Sequence, residues 1–139
     1  MKSMFLIAAA GIALAIGTPP VWAHHAFAAE FDVNKPLVLH GTVTKMDWIN
    51  PHAWIHLDVK NADGTVTSWM IEAGAPNGLL RRGFTKASLP PGTEIVVEGW
   101  QAKDQSDRAN GSNITYPDGR KLFIGSSGTG ARAALRSPT

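Results

Sequence analysis

The chain has 139 residues, 13 Lys and Arg against 11 Asp and Glu, a formal net charge of +2, and no cysteine. So small an imbalance supplies no concentrated basic patch, which argues against nucleic acid as a partner. The lack of cysteine excludes disulfides, thiolate metal sites, thiol nucleophiles and haem attached through cysteine, so the fold must be held by its core.

Lys2 opens the chain, residues 4–16 are apolar with only glycine interspersed, and Pro19-Pro20 ends that run. Val21-Trp22-Ala23 then places small residues at the −3 and −1 positions of a cleavage site. A secretory signal peptide is expected over residues 1–23. Its apolar run is too short for a retained transmembrane helix, although a retained N-terminal anchor is the alternative. Export without cysteine suits a bacterial periplasm, with no membrane attachment after cleavage. Residues 24–139 suffice for one domain with one core.

Cleavage after Ala23 would leave His24-His25-Ala26-Phe27 as the mature start. Residues 24–36 read as an arm, with Phe27 and Phe31 available to pin it. A β domain follows over residues 37–124. The first strand runs from Leu37 to Asp47, and Gly41 within it suggests a bulge or tight bend. Leu37, Leu39 and Val43 share one parity, whereas Met46 and Trp48 are apolar on the other. The phase must therefore slip near Thr44–Lys45.

Asn50-Pro51 is a turn dipeptide. From Ala53 to Lys60 the residues alternate: Ile55, Leu57 and Val59 face the core, while Trp54, His56 and Asp58 face out. Asp63-Gly64 centres a hairpin turn. The third strand, Val66 to Glu72, turns Trp69 and Ile71 inward and Ser68, Met70 and Glu72 outward. Residues 78–82 form a short helix stopped by Gly83. Thr93 to Ala102 is a fourth strand, with Ile95, Val97 and Gly99 on one face and Val96, Glu98 and Trp100 on the other.

A polar loop is expected over residues 103–111, then a last hairpin of Ser112 to Tyr116 and Arg120 to Ile124 around Pro117-Asp118-Gly119. Asn110-Gly111-Ser112 and Asn113-Ile114-Thr115 match the glycosylation sequon, which matters only in a eukaryotic host. Residues 125–139 have no apolar period and read as a disordered tail. Three meandering strands, a short helix and further strands predict a mainly β protein. The expected form is a small OB-like barrel of five to six strands with one short helix after the third. Another small sandwich or open barrel would fit the same strand count.

Several motifs together resemble one family. These are His24-His25-Ala26-Phe27 with Glu30-Phe31-Asp32, Asn50-Pro51-His52-Ala53-Trp54, Leu79-Leu80-Arg81-Arg82-Gly83 and Pro117-Asp118-Gly119-Arg120-Lys121-Leu122. The family consists of small exported bacterial proteins and is classed as a domain of unknown function. The resemblance covers residues 24–126 and implies a secreted, β-rich domain, with no site residues to carry over. Function has to be argued from the site.

The sharpest candidate site is the mature N-terminus. The free amine of His24 and its ring nitrogen can chelate one metal together, because an α-amine titrates near pH 7.7–8.0 and loses its proton to a metal readily. A third nitrogen, best from His52, would complete a T-shaped copper site of the kind called a histidine brace, and such nitrogens suit Cu(II). His25 offers another geometry through the amine and the intervening backbone nitrogen. His56 lies about 13 Å along an extended strand from His52, too far to share an ion unless the strand bends. Against this stands a plainer account, in which the two terminal histidines fray and His52 caps a turn.

The second candidate is a docking face for a small molecule or a periplasmic protein partner. OB-type barrels bind through strands 2–3 and adjoining loops. Here that surface carries Trp54, His56, Asp58, Met70 and Glu72, unless the arm or helix covers it. Arg81-Arg82 read as favourable charges at a helix C-terminus rather than as an anion grip. An enzyme is the class the sequence supports least. His56 and Asp58 could be neighbours, but there is neither a serine elbow nor a phosphate loop. Oxidative copper chemistry stays open only if the brace exists.

Overall fold

The first strand pairs with one neighbour along its first half and with another along its second. In the computed structural model, which describes residues 26–126, β1 runs Phe31–Asp47. Its first half pairs antiparallel with β4 (Glu94–Ala102), from Pro36 opposite Trp100 to Thr42 opposite Glu94. Its second half pairs with β2 (Trp54–Lys60), from Thr42 opposite Asp58 to Asp47 opposite Trp54.

A strand can serve two neighbours this way only if it coils strongly, and two local features allow it. At Gly41 an added Cβ would lie 2.5 Å from the Asp58 carbonyl oxygen and 2.8 Å from Leu57 Cγ, so only glycine permits that approach. Between Val43 and Lys45 the register shifts, leaving Thr44 as an extra residue. This is the phase slip expected there: it turns Met46 inward although Leu39 and Val43 have the opposite parity. Gly41 itself is a point of close approach, and the bulge lies three residues on.

β2 and β3 (Val66–Glu72) form an unbroken hairpin from Trp54 opposite Glu72 to Lys60 opposite Val66. Gly64 supplies a positive φ of 88° in the turn, and Asp63 accepts from the Thr65 amide at 2.9 Å. A helix of six residues, Pro76–Arg81, opens on its proline. The 3-10 turn Lys86–Ser88 follows, closed by a reciprocal Thr85/Ser88 capping box. Leu79, Phe84 and Leu89 from this segment are buried in the main core with Ile55, Leu57, Ile71, Val97 and Ile114. Each such aliphatic side chain contributes about 1.5–3 kcal/mol by leaving water.

The last hairpin begins earlier than the sequence suggests. β5 runs Arg108–Thr115, so residues 108–111 belong to a strand and not to a polar loop. These residues have poor strand propensity. They are extended because β5 pairs on both sides: antiparallel with β4, and parallel with β3 through Met70–Arg108, Ile71–Ala109 and Glu72–Asn110. That parallel pairing closes the sheet into a ring, β1–β2–β3–β5–β4–β1, with β6 (Lys121–Phe123) added outside β5. A closed five-strand ring of this order with a helix after β3 is an OB-like barrel. The fold expected from the sequence is the fold found.

Two expected boundaries move. The arm is not separate from the barrel, because residues 26–30 form a helical turn and β1 already begins at Phe31. At the other end Gly125 is buried, and the Gly74 amide donates to the Ile124 carbonyl at 2.7 Å. The expected disordered tail therefore starts too early at 125, and residues 127–139 lie outside the described residues. Among the described residues no helix is long and apolar enough to cross a membrane.

Candidate functional site

The Asn50–Pro51 peptide is cis, and the next two residues leave that turn along the barrel end. Ala53 is held from both sides, its amide donating to the Gly74 carbonyl at 3.0 Å and its carbonyl accepting from the Ala73 amide at 2.8 Å. This clamp presents His52 to the last residue of β3. His52 Nδ1 lies 3.3 Å from Glu72 Oε1.

Glu72 has the outward parity expected of it, yet it is only 7% exposed. The expectation that it forms part of an open face is corrected here, and the cause is the arm. Phe27 and Phe31 pack on Trp100 and Ala102 in a second apolar cluster. The Phe27 ring meets Phe31 at 5.7 Å and the Trp100 indole edge-on at 5.6 Å. Glu30 extends the cover, its carbonyl accepting from the Lys103 amide and its carboxylate pairing with Arg108 at 3.2 Å. The Lys103 ammonium also donates to the Ala28 carbonyl. The phenylalanines pin the arm as expected, and they also bury Trp100, which the alternation placed outside.

Burial pushes the Glu72 carboxyl above its ordinary value. His52 opposes that rise, the Glu30 carboxylate adds to it, and Arg108 and the Asn110 amide pull it back. Asn110 Nδ2 donates to Glu72 Oε1 at 3.3 Å. Asn110 is 2% exposed, so the sequon match at this position marks a buried strand residue and not a surface attachment point. Sequence reasoning missed Asn110 as a site neighbour, since only the parallel β3–β5 pairing brings it beside Glu72. A cavity of about 80 Å³ lies here, lined by Ala26, Phe27, Glu30, Phe31, His52 and Glu72, with Ser126 at its edge.

The rest of the expected docking face divides. Trp54 is half-buried with the Arg108 guanidinium 5.4 Å from its ring centre. His56 pairs with an acid other than Asp58. Its Nε2 meets Asp47 Oδ2 at 2.7 Å, and Lys45 binds the other oxygen of Asp47 at 2.7 Å. These two contacts hold the Asp47 carboxyl below the ordinary range, with Lys45 the larger cause. Asp58 Oδ1 instead accepts from Ser68 Oγ at 2.7 Å. Met70 remains exposed.

His52 and His56 thus answer to different carboxylates, in line with their expected separation. Arg82 donates to the Gly125 carbonyl at 2.7 Å and stacks over Phe123, while Arg81 lies in the last turn of the short helix. His24 and His25 lie outside the described residues. Among the described residues no three His, Asp or Glu side chains are grouped so as to hold a metal.

Residues 12–112 match the Family of unknown function (DUF6152). The chain belongs to that family. In this DUF6152 protein the matched span includes His52, Trp54, Glu72 and Asn110, the residues around the covered end of the barrel. Comparison with curated proteins gives no match. Among solved structures, the DUF6152 chain is similar to the N-terminal domain of PriB protein from Thermoanaerobacter tencongensis, described as dimeric. The identity is 19% and the TM-score 0.41, over 60% of this chain and 96% of that one.

Proposed function

We propose that this protein is an exported copper-binding protein. In this reading the metal is held by the amine and ring of His24, freed by cleavage after Ala23, together with His52. His25 is the alternative third ligand. The observation that carries the reading is the placement of His52. Nδ1 of His52 lies 3.3 Å from Glu72 Oε1, and a carboxylate at that position favours the tautomer that leaves Nε2 as the donor, which is how metal-binding histidines are commonly oriented. Ala26 lines the same cavity as His52. Two residues reach at most about 7 Å, so a chain starting at His24 begins within that distance of Ala26. Phe27, the residue after Ala26, is packed on Phe31 and Trp100.

The test is Cu(II) titration of the processed chain, followed by electron paramagnetic resonance, against the same chain carrying one extra N-terminal residue. Tight one-to-one binding with a nitrogen-rich signal, lost on extension, supports the reading. Weak binding equal in both forms sinks it. A second reading, docking of a small molecule or partner protein on the Trp54 side without metal, is favoured by one observation. Met70 stays exposed beside His56, its partner in the β2–β3 register. In that case Trp54→Ala abolishes binding and N-terminal extension has no effect.

A further inference from the structure

A second cavity, about 460 Å³, shares no residue with the His52 pocket. It forms where β1 changes partners. Thr42 is paired with Asp58 on one side and Glu94 on the other, so these three side chains stand abreast on one face of three adjacent strands. One step along the same face, His40 pairs with Val96, and Val96 with Thr115. Lys60 closes the β2 side, and Tyr116 with Pro117 closes the far side.

The chemistry of these groups narrows what fits. Asp58 and Glu94 sit two strand spacings apart, about 10 Å between their backbones, with Thr42 between them. No group of three His, Asp or Glu placed to hold a metal occurs among the described residues. Asp58 gives one oxygen to Ser68, while Glu94 and Lys60 make no ion pair among the described residues. The groove therefore offers carboxylate acceptors, hydroxyls from Thr42 and Thr115, and an ammonium donor.

The far wall is aromatic and fixed. Tyr116 donates its hydroxyl to the Ser88 carbonyl at 2.9 Å, and Arg120 lies 4.6 Å from its ring centre. Val96 lines the wall beside it. Opposed charges argue against a strongly ionic ligand, and spaced acceptors facing an aromatic wall suit a ring with hydroxyls on its rim and C–H groups on its faces. The volume lies within the range of small-molecule sites. We infer that this groove binds a neutral saccharide.

The chain has one tyrosine, so selective ring labelling gives a single NMR signal at the groove wall. The processed chain is titrated with cellotriose, with the N-acetylglucosamine trimer, and with trilysine. The expected result is a saturable shift with at least one saccharide, weakened about fivefold or more in Glu94→Gln or Asp58→Asn, as loss of one charge-assisted hydrogen bond implies. His52→Ala leaves it unchanged, which separates this site from the copper reading. Neither carboxylate variant removes a hydrogen bond the fold depends on, since the side-chain amide oxygen introduced by Asp58→Asn still accepts from Ser68. No saturable shift with either saccharide overturns the inference, as does an affinity unchanged from the parent chain in both variants. A shift with trilysine alone overturns it in favour of a cationic peptide.

Discussion

His52 on the Asn-Pro turn and Glu72 at the end of β3 face each other at 3.3 Å beneath an aromatic arm. A buried carboxylate beside a partly exposed imidazole is an orienting pair, and it stands or falls with the cover that excludes water from it.

If Glu72 orients His52 for copper, Glu72→Gln keeps the side chain's size and one acceptor but loses the charge that fixes the imidazole tautomer. Copper affinity then falls about 10–100-fold, the usual effect of removing an outer carboxylate. His52→Ala removes the ligand itself and loses more. Competition with a chromophoric chelator measures both. Unchanged affinity in Glu72→Gln would show that the carboxylate has no orienting role.

Phe27 is buried against Phe31 and Trp100, so Phe27→Ala should cost about 3 kcal/mol, the lower part of the range for a buried phenylalanine. Denaturant unfolding followed by tryptophan fluorescence gives the value. Because the same residue holds the arm over Glu72, the proposed copper binding should weaken in parallel.

Two glycines should respond with opposite sign. At Gly99 a Cβ would sit 2.1 Å from the Asn110 carbonyl oxygen, where β4 pairs with β5. Gly99→Ala should cost about 3 kcal/mol or more and depress soluble yield. At Gly78, inside the short helix, the nearest atom to an added Cβ is Arg81 Nη2 at 3.9 Å. Gly78→Ala should stabilise by about 0.5–1 kcal/mol, because alanine loses less backbone freedom in a helix. Thermal melts of the two variants decide both signs.

The Asp47 carboxyl is held below its ordinary 3.8 by Lys45 and His56. A depressed carboxyl contributes stability that is present above its unfolded value and is lost as the pH falls through the folded value. Asp47→Asn should therefore lower the melting temperature slightly near neutral pH, and the difference should shrink as the pH falls from 3.8 through the lower folded value. Because the group is at the surface, the effect is small and fades with added salt. A constant difference across the whole pH range would place its cause elsewhere.

Much of this architecture was legible in residue order because it depends on short-range rules. Alternation from Ala53 to Lys60 and from Val66 to Glu72 placed β2 and β3 within a residue, and the parity change between Val43 and Met46 located the bulge. The glycine and proline turns punctuated the rest.

The site was legible only in part, since parity says which way a side chain points and nothing about what lies over it. Glu72 points outward and is buried all the same, because Phe27 and Phe31 find Trp100. His56 turns to Asp47 across the β1–β2 pairing and not to Asp58 on its own strand. Asn110 reaches Glu72 only because β5 pairs in parallel with β3, a contact between residues 38 positions apart. The sequence by itself determined β2, β3 and β4 with their alternating faces, and a small β architecture of barrel or sandwich type, since these follow from periodicity and turn chemistry. Tertiary structure alone decided which outward residues are covered and which charges meet, because those depend on ring closure and on where the arm packs.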